Sequence, residues 1–475
     1  MVAALGLGLL ALAGCKKLDT QHNTVTDESL NKNLFQVISS DSKYMTFTKL
    51  LVQTGYDKVL SSTKTYTVFA LNETVVKTID PVVLMSSTKL KTFIANHITE
   101  QSLPISVNTP TARIQMIGGK YNLLSSSKIE SSSFVASNRY AANGLIHDVS
   151  APLYAMDNCW EFLYENPAAP TNHKFFLRSL FRNVFDLTNA KIIGVDPNTG
   201  ANLYQPGTDS VYANLYLKNV YDLRDESKQY TLFLLSDAGL TSEVGAYASY
   251  FPTTTPDSTS FAATWNVVRD YAIDGAYAPN QLPDTLVSKF GAKVPVNKAN
   301  IVSSYKTSNG YVYVMSALPV APKQRFATKV IEAENYVASS VDRRSYTYFR
   351  DRYNDSTFTK YSDVLVLNHG VAMFNLRYDL QEMPMIKYKA YWIAVNDFQT
   401  AAYQQKLGVG SPASTLLPYT NVNGSATTAK KEIYLGEFQL ARYYPILNLY
   451  LTAANSTTSA ANPLVCDYIK LVPSL

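Results

Sequence analysis

Tyr66-Thr67-Val68-Phe69-Ala70-Leu71-Asn72 is followed, further along the chain, by Asn143-Gly144-Leu145-Ile146-His147-Asp148-Val149. The same order returns later. Tyr230-Thr231-Leu232-Phe233-Leu234-Leu235-Ser236 is followed by Asn309-Gly310-Tyr311-Val312-Tyr313-Val314-Met315. Tyr66 and Asn143 are 77 positions apart, and Tyr230 and Asn309 are 79 apart. Two unlike motifs recurring at nearly one separation point to a duplicated domain. The unit is too long for a solenoid repeat of roughly 20–50 residues.

Each motif has a physical reading. Tyr-Thr-Val-Phe is aromatic and β-branched, the composition of a buried strand. It runs into Asn72, or into Ser236-Asp237, which read as helix N-caps or turn formers. Asn-Gly suits a tight turn with positive φ, and the residues after it alternate as a second strand. A helix-to-strand passage is expected between them, at Leu90–Ile98 in the first copy and Trp265–Ile273 in the second.

These signals resemble the fasciclin-type domain, a family of secreted adhesion modules. The family pattern is a T-V-F-A-P-T-N-like strand, a Y-H-V-V-like strand and a closing N-G-x-I-H-x-I-D strand. Thr67–Asn72, Asn96-His97-Ile98 and Asn143–Val149 fit it, with Leu71 where proline is usual. In the second copy Ser236-Asp237 holds the Thr-Asn place, Tyr313 replaces the closing histidine, and Val294–Val302 looks like the hairpin region. The resemblance spans residues 33–156 and 172–322. It implies two α+β domains, each a β-wedge with packed helices.

At 475 residues the chain has room for three or four domains of roughly 150 residues. Hydrophobic content of 46% with 17% charged residues is globular rather than disordered. The 34 tyrosines, with abundant Ser, Thr and Asn, fit a β-rich secreted surface protein. A net charge of +5 dispersed over this length does not support nucleic-acid binding, which needs clustered Lys and Arg.

Residues 2–14 are apolar or small and precede Cys15. Thirteen helical residues cover about 20 Å, short of a roughly 30 Å hydrocarbon core, so they read as the apolar region of a signal peptide, residues 1–14. Leu12-Ala13-Gly14-Cys15 matches a bacterial lipobox, with Cys15 as the lipidated residue, although no Lys or Arg precedes it. Acyl chains at about 0.8 kcal/mol per buried methylene would hold such a cysteine on a membrane. Residues 15–32, opening Cys-Lys-Lys, resemble the tether of a Bacteroidetes outer-membrane lipoprotein. This implies a lipid-anchored, surface-exposed chain. Cys159 and Cys466 remain, and they read as two buried free thiols, with a disulfide as the alternative in an exported chain.

From residue 323 the repeat is lost. Ile386–Val395 alternates with period two, and Ile433–Phe438 and Leu447–Leu451 follow between turn-rich segments such as Val422-Asn423-Gly424-Ser425. Many short strands with polar turns predict an all-β sandwich over 323–475. Its opening, Val330-Ile331-Glu332-Ala333-Glu334-Asn335-Tyr336, and its ending, Cys466-Asp467-Tyr468-Ile469-Lys470-Leu471-Val472-Pro473, resemble galactose-binding-like jelly rolls, including many carbohydrate-binding modules. In those modules the first and last strands are neighbours, and acidic residues there often hold a structural calcium. The resemblance assigns that role to Glu332, Glu334 and Asp467. Glu332 and Glu334 are two apart and would share one strand face. Calcium takes six to eight oxygens, and a solvated or salt-bridged acidic pair is the alternative.

His22, His97, His147, His173 and His369 are the histidines, and none is at metal-ligand spacing. His97 and His147 fall on the fasciclin-like strands, where the family resemblance implies a structural role. Gly118-Gly119-Lys120 lacks the rest of a phosphate loop and reads as a hairpin turn. No G-x-S-x-G, P-loop or H-E-x-x-H occurs, so no catalytic residue is assigned. Tyr346, Tyr348, Tyr353 and Tyr361 crowd a segment with Arg343, Arg344, Arg350 and Arg352. Tyr and Arg are enriched where ligands and partners bind, which makes Tyr346, Tyr348, Tyr353, Arg350 and Arg352 candidate contacts. Trp392 lies in an alternating strand and reads as core.

The sequence therefore predicts a non-catalytic outer-membrane lipoprotein that binds a glycan or a partner protein. It suits an accessory of a Sus-like uptake complex, beside a transporter and its lid lipoprotein. The alternative is a cell-adhesion or matrix-linking structural protein. No cofactor beyond the calcium is implied.

Overall fold

The strand Tyr66–Ala70 is buried at every position. It can be so because it has a neighbour on each side. Ile98–Thr99 pairs with it antiparallel, and Gly144–Val149 pairs parallel, with Val68 opposite Ile146. The computed structural model describes residues 28–195, 202–354, 359–424 and 431–475. Two compact units divide the chain. One comprises residues 1–162 with 223–229 and 306–310, and the other residues 163–222, 230–305 and 311–475.

In the first unit the sheet runs in the order Ile98–Thr99, Tyr66–Ala70, Gly144–Val149, Ser132–Ala141, Lys128–Ile129, Tyr121–Leu124, Ala112–Gln115. Short helices cover it, and Phe47, Leu51, Phe69, Phe93, Ile94 and Ile146 meet in one core. Asn72 caps the helix after the first strand, its Oδ1 accepting from the N–H groups of Thr74 and Val75 at 3.0 Å each. Gly118-Gly119-Lys120 turns the hairpin between Ala112–Gln115 and Tyr121–Leu124, as its residue types predict.

The Asn-Gly pair does more than turn the chain. Asn143 Oδ1 accepts from the Leu34 N–H at 2.7 Å, and its Nδ2 donates to the carbonyls of Leu60 and Ser62 at 2.9 and 2.8 Å. Asn309 repeats this clamp: Oδ1 accepts from the Cys159 N–H at 2.9 Å, and Nδ2 donates to Leu223 and Asp225 at 2.9 and 3.2 Å. Each side chain ties a helix start to a loop. The glycines that follow stand at φ 151° and 149°. A Cβ on Gly144 would lie 1.8 Å from the Tyr66 carbonyl oxygen, so only glycine lets the two parallel strands meet.

In the second repeat the order is Ala272–Asp274, Tyr230–Leu235, Gly310–Met315, Ile301–Thr307, the shorter form of the same arrangement. Ser236 caps the helix Asp237–Tyr247, and the helix Pro256–Val268 leads into Ala272–Asp274, as the helix-to-strand reading predicted.

The C-terminal region is a β-sandwich. One sheet pairs Lys329–Glu332, Tyr468–Ser474, Lys387–Ile393 and Glu432–Gln439 in that order. The first and last strands of the region are neighbours, Glu332 opposite Tyr468. A five-stranded sheet pairs Ala338–Ser339, Asn375–Met383, Tyr444–Ala453, Tyr403–Val409 and Thr420–Val422, and a third pairs Thr347–Asn354, Thr359–Val366 and Leu464–Cys466. Trp392 is core. The sandwich and most of the second repeat lie in one unit. The N–H groups of Met385 and Tyr443 donate to the Tyr250 and Pro252 carbonyls, and Phe251 packs edge-on against Tyr443 at 5.3 Å. The chain is thus α+β, with fasciclin-like β-wedges and helices followed by an all-β jelly-roll sandwich.

Candidate ligand-binding surface

The histidines are scaffold. His97 is fully buried, with Nδ1 donating to the Phe93 carbonyl at 2.8 Å and Nε2 accepting from the Leu153 N–H at 3.1 Å. Burial pushes its pKa down to about 4. His147 takes the other tautomer, accepting from the Asn138 N–H at Nδ1 and donating to Leu103 from Nε2. His173 accepts from the Leu235 N–H, and burial takes its pKa to about 3. Each of these three rings accepts a backbone N–H at its lone pair, which favours the neutral form. His22 lies outside the described residues. Cys159 and Cys466 are free and buried, and burial pushes the Cys159 thiol up to about 12.

The tyrosine-arginine segment forms the strand Thr347–Asn354, antiparallel to Thr359–Val366. A strand sends alternate side chains to opposite faces. Tyr348, Arg350 and Arg352 share one face, and Phe349, Asp351 and Tyr353 share the other. Tyr346 precedes the strand in a 3₁₀ turn. The five predicted contacts therefore do not converge. Sequence proximity misled because five positions along a strand, from Tyr348 to Tyr353, reverse the face.

The two arginines are also committed. Arg350 meets Asp363 with two parallel bonds, Nε to Oδ1 at 2.7 Å and Nη2 to Oδ2 at 2.6 Å, and reaches Asp397 with Nη1 at 3.0 Å. Arg352 closes on the other oxygen of Asp397. Asp363 is 1% exposed. Burial works against the Arg350 charge, but its bonds to Asp363 and the two carboxylate charges outweigh that and raise its pKa. Arg350 thus holds the buried carboxylate of Asp363, and both arginines are tied to Asp397.

The opposite face carries the stronger candidate. Phe349 is 60% exposed, and Tyr336 lies nearly parallel to it, with ring centroids 6.3 Å apart and planes 17° apart. Tyr353, 51% exposed, is four residues along the same face. Flat rings left open to solvent present stacking area to a ligand. Tyr336 and Phe349 were legible as aromatics in the sequence, but only the strand pairing shows that they meet.

The acidic residues divide. The strand Lys329–Glu332 ends at Glu332, which is exposed, and Glu334 lies in the turn beyond, so the two do not share a strand face. Glu334 Oε2 is buried and has no hydrogen-bond partner, while Asp467 is buried beside the last strand. The unsatisfied Glu334 oxygen suits a cation. Among the described residues, however, no three His, Cys, Asp or Glu side chains form a metal-holding group.

Cys15 and residues 1–27 lie outside the described residues, as does Ser425. Among the described residues no helix is long and apolar enough to cross a membrane.

Comparison with known proteins places these observations beside relatives. A FAS1 domain pair from the insect cell adhesion molecule Fasciclin I matches at 13% identity, covering 60% of this chain and 99% of that one, with a TM-score of 0.24. A family 35 carbohydrate binding module from Clostridium thermocellum matches at 12% identity, covering 31% of this chain and all of that one, TM-score 0.22. A GH26-CBM35 β-(1,4)-mannanase of Podospora anserina matches at 10% identity and TM-score 0.23, covering 31% of this chain but 28% of the mannanase. No curated protein matches the chain. Residues 42–155 match the Fasciclin domain family.

Proposed function

We propose that this chain is a non-catalytic binding protein whose jelly roll captures a glycan on the Tyr336–Phe349–Tyr353 face. The stacking of half-buried Tyr336 against solvent-open Phe349 carries the reading. A sugar presents an apolar C–H face to such a ring and hydroxyls to its surroundings. The Fasciclin match at 42–155 and the jelly-roll sandwich both suit binding without turnover. In this reading a lipid on Cys15 holds the chain on the outer membrane. The protein then serves as a surface accessory of a Sus-like transporter and its lid. Glu334 and Asp467 take a structural calcium that ties the first strand to the last. Replacement of Phe349 and Tyr353 by alanine tests the surface: polysaccharide capture on this face is lost and thermal stability is kept. Unchanged capture by a folded variant refutes it.

One observation favours the adhesion alternative. The hairpin of Ile192–Val195 and Asn202–Tyr204 exposes Ile192, Ile193, Val195 and Leu203, an apolar surface of the kind that docks proteins. Binding of the chain to cells or matrix, undiminished by the Phe349 and Tyr353 replacements, would support it over glycan capture.

A further inference from the structure

A cavity of about 640 Å³ opens within the second unit where the helix Pro256–Val268 faces the jelly-roll strands Asn375–Met383 and Tyr444–Ala453. That volume is in the range of small-molecule sites. Beside Leu215, Ala262 and Pro445, three aromatic rings line it: Phe261 is 40% exposed, while Trp265 and Tyr443 are nearly buried. Arg182 lies over the Phe261 ring at 5.6 Å, and Phe176 supports that ring at 5.5 Å. Neutral polar side chains complete the lining, among them the exposed Asn219, Ser258 and Gln381.

One wall is held firmly. Trp265 Nε1 donates to Glu382 Oε1 at 2.5 Å, and Arg269 binds the other oxygen of that carboxylate. Glu382 adopts φ 56°, a left-handed conformation that a non-glycine residue keeps only when its surroundings fix it. The strain sits where the strand Asn375–Met383 meets the helix, so the wall is set before any ligand arrives.

The chemistry of the lining selects the occupant. Asp257 and the Arg269-paired Glu382 offset Arg182, so the cavity has no cationic excess for a phosphate or carboxylate. A hydrocarbon tail would leave the amides and hydroxyl unused. A neutral saccharide satisfies both parts, with its C–H face on Phe261 and its hydroxyls on Asn219, Ser258 and Gln381. We infer that this cavity is a second site for a neutral saccharide of one or two rings, gripped by the fasciclin-like helix and the jelly roll together. The inference rests on the glycan reading above but uses none of its residues.

Calorimetric titration of the full chain with cellobiose, mannobiose, xylobiose, laminaribiose and lactose, up to about 20 mM, covers millimolar affinities. Wild type, F261A, Q381A and the double variant F349A/Y353A are compared, with circular dichroism to verify folding. The expected result is two classes of saturable binding in wild type, one lost in F349A/Y353A and the other weakened about tenfold or more in F261A and Q381A. Affinity unchanged in folded F261A overturns the second site. So does the absence of saturable heat from every disaccharide. Loss in F349A/Y353A alone leaves the outer face standing and removes the cavity, and loss in F261A and Q381A alone does the reverse.

Discussion

Acid should loosen this protein well above the range where carboxylates protonate, and His97 makes a defined contribution in the first unit, to which His147, also lowered by burial, adds. The folded pKa of His97 is about 4 and its ordinary value 6.5. Above pH 6.5 neither folded nor unfolded chain binds the proton. As pH falls, the unfolded chain takes it up while the fold excludes it, so stability is lost going down from 6.5 towards 4. Between pH 7 and pH 5 the loss is about 2 kcal/mol. Because the folded value lies below 5, this figure is governed almost wholly by the unfolded histidine. His173, with a folded pKa of about 3, imposes a similar loss on the second unit over the same window. Two kcal/mol lowers a melting temperature by roughly 4–8 °C for units of this size. Calorimetric scans at pH 7 and pH 5 measure it, with His97→Gln as the control: Gln keeps an acceptor for the Leu153 N–H and does not titrate. The variant is less stable at pH 7, but the first unit's pH-dependent loss shrinks by about 2 kcal/mol. An equal loss in wild type and His97→Gln would refute the argument that a neutral His97 is part of the scaffold.

Arg350→Ala leaves Asp363 buried without its two charge-assisted bonds and destabilises the second unit by about 3–5 kcal/mol, read by denaturant titration. Tyr348→Ala on the same face changes stability little, and equal effects of the two would contradict the ion-pair assignment. Asn143→Ala orphans the Leu34 N–H and the carbonyls of Leu60 and Ser62, and costs about 3 kcal/mol. A cost under about 1 kcal/mol would show that water replaces the clamp. Calcium at about 100 times its Kd stabilises the second unit by about 2.7 kcal/mol, and Glu334→Gln removes that gain; an unchanged melting temperature with calcium and with chelator would dismiss the site.

The repeat was the most legible part of the fold. Buried-strand residues, cap residues and Asn-Gly each have a local cause, and local causes can be read from a sequence. The clamp of Asn143 and Asn309 was only half readable. Positive φ belongs to the glycine, whereas the amide's partners at Leu34, Leu60 and Ser62 are tertiary. The jelly roll's neighbouring first and last strands followed from resemblance, and the alternation of Ile386–Val395 placed Trp392 inside. The candidate site was less legible. Asp363 and Asp397 stand 13 and 47 positions beyond Arg350, and only the strand register that sets Asp363 opposite Arg350 reveals the link. The pairing of Tyr336 with Phe349 depends on a turn after Glu332 that the I-E-A-E-N-Y text does not reveal. That same turn separates Glu332 from Glu334, which strand periodicity alone would keep together.

The most direct test of glycan capture is affinity electrophoresis of the full chain through gels containing soluble mannan, xylan or β-glucan. Wild type and Phe349→Ala/Tyr353→Ala are run side by side, and their melting temperatures are matched. Retardation of wild type by at least one polysaccharide, lost in the folded variant, is the predicted result. Equal mobility of the two proteins in every gel would contradict the account.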